Sequence, residues 1–140
     1  MFRLLACLLL LLTTGCASEY ATASWQYVQQ QRVDVAVPPL EWDRALVAPT
    51  QIRAQEIAAL GALDHSGAQS AFNAFYGDRP YICEIIGRQP TWTAEYAIGY
   101  GWSVSPHHRD CALGANYRRA AIGAAMGADG WVYEVMWLTD

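Results

Sequence analysis

With no lysine and nine arginines set against 13 acidic residues, the 140-residue chain has a formal charge of −4 and no basic stripe to follow a phosphate backbone. Nucleic acid is therefore excluded as a partner, and so is a polybasic grip on anionic lipid. The length limits the chain to one domain.

The chain opens MFRLLACLLLLLTTGC. One arginine precedes an apolar run from Leu4 to Leu12, which falls short of the ~20 residues that a mature spanning helix needs and reads as the hydrophobic core of an export signal. Closing on Thr-Thr-Gly-Cys, the leader resembles that of a bacterial lipoprotein, cleaved after residue 15 so that Cys16 carries the lipid. An ordinary signal peptide cut near Ala17 is the alternative, and either reading exports the protein. The resemblance implies attachment to a membrane through the acyl chains on Cys16, and Ala17 after it points to the periplasmic face of the outer membrane. Secretion is the alternative location. Residues 16–24, small and polar, are expected to form a tether, and residues 25–140 the domain.

Of four cysteines, Cys7 leaves with the leader and Cys16 is assigned to lipid. Cys83 and Cys111 remain, and in an oxidising compartment they are most simply one disulfide, the other reading being two buried free thiols.

A first helix is predicted from Trp25 to about Val33, ended by Pro38-Pro39. From Trp42 to about Leu63 the composition turns helical, with Trp42, Leu46, Ile57 and Leu60 on one face and a kink or restart expected at Pro49. His65-Ser66-Gly67 reads as a turn, followed by a short helix over Gln69 to Phe75 and a break at Gly77 to Pro80. YICEIIG, Tyr81 to Gly87, has a strand's density of β-branched and aromatic residues. Thr93 to Trp102 reads as a helix weakened by Gly99 and Gly101. Ser105 and Pro106 read as a turn. The chain ends in a hairpin turning near Asp129-Gly130.

Familiar catalytic patterns are missing. Gly99-Tyr-Gly101 lacks the third glycine and the preceding strand of a nucleotide-binding loop, and neither Ser103 nor Ser105 has the glycine frame of a nucleophile elbow. Three histidines remain: His65 in its turn, and His107-His108 after Ser-Pro.

Three ordered motifs connect them. LEWDRALVAPTQIRAQEIAALGALDHSG (Leu40 to Gly67) leads to a lone histidine followed by serine, CEIIG (83 to 87) supplies an acid, and WSVSPHHRDCALGANYRRAAIG carries the second histidine before Arg109. Together they resemble the CAP superfamily of cysteine-rich secretory, antigen-5 and pathogenesis-related proteins, whose unit is the SCP domain. The resemblance runs from about Trp25 to the end. It implies an α+β fold, an α-β-α sandwich around a small, mostly antiparallel sheet. It also implies a cleft lined by His65, Glu84 and His108, a set that holds zinc or another divalent metal in some members. Glu95 is the weaker match for a second acid. His107 occupies a position that is usually glycine and is expected to be an exposed neighbour. The expected function is a binding module for a metal, or for a lipid, sterol or cell-wall ligand. A metal-dependent hydrolase and a purely structural envelope module are the alternatives.

Overall fold

In the computed structural model the backbone is described for residues 2–76 and 81–140, and side chains for residues 17–74 and 81–140. The break expected at Gly77 to Pro80 and the side chains of the leader, Cys16 included, lie outside the described residues. The elements in order are α1 (Phe2–Asp34), β1 (Glu41–Trp42), α2 (Arg44–Leu60), α3 (Ala68–Tyr76), β2 (Ile82–Pro90), α4 (Ala97–Val104), α5 (Pro106–Ala112), β3 (Arg119–Met126) and β4 (Trp131–Thr139).

The strands form one sheet in the order β1-β3-β4-β2. β4 pairs antiparallel with β3 and β2, while the short β1 runs parallel to β3. β3 and β4 are apolar along nearly their whole length because helices cover both faces. Alternate residues point to opposite sides. Ala121, Ala125, Tyr133, Val135, Trp137 and Ile86 meet α2 and α3 through Leu46, Ala54, Ile57 and Phe72. Ala120, Ile122, Met136, Leu138 and Ile85 meet α1, α4 and α5 through Val28, Ile98, Trp102 and Ala112. This is the α-β-α sandwich that the resemblance implied, with a mixed sheet.

The structure corrects five local expectations. Residues 17–24 are helical, not a tether: Ala17, Tyr20 and Ser24 recur at helical spacing with Val28 and are buried. Their small side chains serve close packing, since a Cβ on Gly99 would lie 3.0 Å from the Ser24 backbone. Trp42 belongs to β1, and the following helix starts only at Arg44, capped by Asp43 Oδ1 accepting from the Ala45 N–H at 2.9 Å. That helix passes through Pro49 without a restart. Lacking an N–H, Pro49 removes one ladder bond early in the helix, and the Thr50 hydroxyl donates to Leu46 O at 2.8 Å. Leu46 and Ile57 are buried as expected, but Leu60 is exposed. Finally, Ser105-Pro106 is not a simple turn but the start of α5, with proline in the first turn, where a missing N–H costs no helical bond.

Candidate functional site

The site is built around Glu84. On β2 it faces α2, opposite to its neighbours Cys83 and Ile85, and only 2 % of its side chain is exposed. Four N–H contacts converge on its carboxylate. Arg53 approaches it with Nε 3.1 Å from Oε2 and Nη2 3.4 Å from Oε1. Trp137 Nε1 donates to Oε2 at 2.8 Å, and His65 Nδ1 lies 2.9 Å from Oε1. An ionised carboxylate is acceptor-only, so a proton on Nδ1 completes the contact and Nε2 is the ring nitrogen left for a ligand.

Arg53 is itself buried. Its Nη2 also donates to Asp64 O and its Nη1 to Glu56 Oε2. Burial opposes its charge, but the hydrogen bonds and charge of Glu84, and then of Glu56, outweigh that and raise its pKa above the ordinary value. Asp64 accepts from both the N–H and the hydroxyl of Ser66, which holds its carboxyl below the usual range. That turn presents His65, and the His65 carbonyl accepts the first bond of α3 from Ala68 N.

His108 comes from the opposite side of the sheet. Cys83 and Cys111 form a disulfide with Cα atoms 6.1 Å apart, joining β2 to α5. An apparent conflict, that Cys83 and Glu84 point to opposite faces, resolves because β2 is the edge strand. α5 lies on the Cys83 side, and His108, one turn before Cys111, is carried to the rim. There it is half-buried, its pKa lowered by burial and then by the charges of His65 and His107. His107 is exposed.

Two expectations about the site change. Glu84 is held by N–H donors rather than left open as a ligand, and among the described residues no group of three or more His, Cys, Asp and Glu is placed to hold a metal. The residues present fit a cation only through imidazoles, with Glu84 behind His65. Glu95 is not brought to the site: it is exposed in the turn before α4. Glu84 to Pro90 spans six strand residues, or about 20 Å. Arg53 and Trp137 were not singled out from sequence. Arg53 does leave a trace, occupying the core-facing series Leu46, Thr50, Arg53, Ile57 where an apolar residue is expected.

Elsewhere, a groove of about 430 Å³ opens at the β3 edge of the sandwich, where Ala21, Trp25, Trp42, Val47, Ile122 and Ala124 provide apolar walls. Trp25 and Trp42 meet edge to face at 4.9 Å.

No family model matches the sequence, and no curated protein is similar to it at a significant level. Solved structures do match. An outer surface protein of Borrelia burgdorferi superposes with a TM-score of 0.71 at 12% identity, covering 83% of this chain and 88% of that one. An extracellular protein containing an SCP domain, from Bacillus anthracis, gives 0.70 at 15% identity, over 89% of this chain and 41% of that one. The fold is that of the SCP domain. A structure of NaASP2 with Zn2+ has the same fold, with a TM-score of 0.63 at 10% identity, over 86% of this chain and 78% of that one. This SCP-fold chain spans less than half the length of the Bacillus anthracis protein.

Proposed function

We propose that the protein is an exported SCP-fold binding module whose rim imidazoles, His65 Nε2 and His108, bind a divalent cation such as zinc. Glu84 acts behind them as the group that fixes the His65 ring. The observation that carries this reading is the Nδ1 contact to a buried carboxylate, the arrangement by which metal-binding histidines are oriented and made more basic. NaASP2, of the same fold, has been solved with Zn2+. A bound cation would supply Lewis acidity toward a ligand oxygen. Arg53 neutralises Glu84, but Glu56 and Asp64 beside the pair leave the surroundings of His65 net acidic, which attracts a cation without ligating it. Affinity must then come from the imidazoles, and it must fall as they protonate.

Zinc titrated into the protein by calorimetry is expected to give saturable heat that His65→Ala and His108→Ala each abolish. Glu84→Gln is expected to weaken binding about 10- to 100-fold without abolishing it. Heat for the wild type no greater than for the double histidine variant would refute the reading. A hydrolase assay that responds to zinc and is silenced by the same variants would make the module an enzyme.

For location, the leader and Cys16 support a lipid-anchored protein of the cell envelope. The presence of the same fold in an outer surface protein agrees with that. The groove beside Trp25 and Trp42 supports an apolar second ligand, a lipid or sterol, over a glycan.

A further inference from the structure

β4 is apolar along its length except for its last residue, Thr139, and for Glu134 at its centre, which is fully buried. Neither of its carboxylate oxygens has a hydrogen-bond partner in the protein. The Ser24 hydroxyl of α1 is equally buried and equally unpaired. It lies near enough to Glu134 to favour the charged form slightly, without making a hydrogen bond of ordinary geometry.

The surroundings supply no counter-charge. From β3, Ala124 stands beside Glu134, and from β2, Gly87. The neighbouring Arg88 is drawn to the other face by Gly61 O, the Tyr133 hydroxyl and the Trp131 ring. From α4, Ile98 and Trp102 close over Gly87, and Gly99 lies against the Ser24 backbone. From α1, the titratable neighbours a turn away are tyrosines: the Tyr20 hydroxyl donates to Thr91 O, and Tyr27 stacks on Tyr96. Among the described residues, no charged group acts on Glu134.

A carboxylate cannot stay ionised in such a place without large cost, and burial raises its pKa to about 8. The charged form must reach water, and of the helices on this face α1 is the one that brings a side chain, Ser24, to Glu134.

We propose that Glu134 and Ser24 form a proton-operated latch: with Glu134 neutral, α1 lies closed on the sheet, and loss of the proton in mildly alkaline surroundings releases α1. The sign follows from linkage. The released state ionises near the ordinary 4.5 and the closed state near 8, so release binds fewer protons and is favoured as pH rises, up to the folded value. Because residues 17–34 of α1 run on from the N-terminal apolar segment of the same helix, their release would change how the domain stands relative to that segment. It would also open the groove that α1 shares with Trp42 and Val47.

Hydrogen exchange read by mass spectrometry at pH 6 and pH 9, corrected for intrinsic rates, tests the latch. Linkage predicts that the opening equilibrium of residues 17–34 rises on the order of 100-fold between the two pH values, while β4 amides stay protected. Glu134→Gln is expected to remove the pH response. An equal response in that variant overturns the latch, as does loss of protection in β4 together with α1. Should the variant fail to fold, carbon-13 titration of the Glu134 carboxyl in the wild type decides: a midpoint in the ordinary range near 4.5 overturns the proposal, and one above 7 supports it.

Discussion

Removing the Cys83–Cys111 bond, as Cys83→Ser/Cys111→Ser, separates the strand that carries Glu84 from the helix that carries His108. The bond closes a loop of 28 residues, which on the chain-entropy account is worth about 3.5 kcal/mol through the unfolded state. For a domain of roughly 125 residues that corresponds to a fall in Tm of about 10 to 15 °C. The native state has its own reason to respond locally. α5 has seven residues and no side-chain cap at its start, too few to hold a helix alone. Besides the disulfide, it is fixed by the buried Ala112 and by Arg32, whose Nη1 donates to Ala112 O at 2.9 Å and Gly114 O at 3.2 Å. Urea unfolding at constant pH, extrapolated linearly, should therefore show the 3 to 4 kcal/mol loss together with a steeper slope, because the unfolded chain without its cross-link exposes more surface. Hydrogen exchange should show residues 106–112 opening before the sheet. A loss below about 1 kcal/mol would refute the entropy reasoning, and alkylation of both thiols in the native, unreduced protein would refute the bond.

Two further changes test the packing that supports the site. Arg53→Met strands the Glu84 carboxylate in the interior and should destabilise by about 3 to 5 kcal/mol in thermal or urea unfolding, whereas Arg53→Met with Glu84→Leu should recover much of that loss. A double variant no more stable than Arg53→Met alone would mean that the pair is not an uncompensated-charge problem. Gly123→Ala places a Cβ 2.2 Å from the Thr50 carbonyl oxygen; α2 must lift from β3, and a loss of about 1 to 3 kcal/mol is expected, with a wild-type Tm as the result against it.

Much of this arrangement is visible in the sequence because the residues involved are chemically unusual for their places. His65, Glu84 and His108 stand out as ionisable side chains in otherwise apolar or turn-like segments, and the hairpin announces itself through Asp129-Gly130 between two apolar runs. What stays hidden depends on partners far along the chain. Arg53 falls on the core-facing stripe of its helix, but what it pairs with there stays hidden until Glu84, 31 residues later, is placed beneath it. Arg32 is fully buried only because carbonyls of residues 38, 112, 114 and 117 converge on it. β1 and α5, of two and seven residues, are too short for any periodicity to register. Residues 17–24 mislead for a different reason, since small side chains suit a tether and a close helix contact equally well.

The strand β2 makes these separate facts one design. Its residues alternate between two buried layers, so the register that sends Cys83 toward α5 also sends Glu84 toward Arg53, Trp137 and His65. A slip of one residue would exchange them and bury both partners' charges without relief. The two imidazoles are held less firmly than this base: His65 sits on a turn and His108 on a seven-residue helix, each fixed by one principal tie, to Glu84 and through the disulfide. A rigid carboxylate under adjustable donors favours a cation that can be accepted and released over one locked into the fold. If zinc binds as proposed, chelation should lower the Tm only by the mass-action contribution of the bound metal and leave a folded metal-free protein, in contrast to a structural zinc site, where the metal supplies the folding energy.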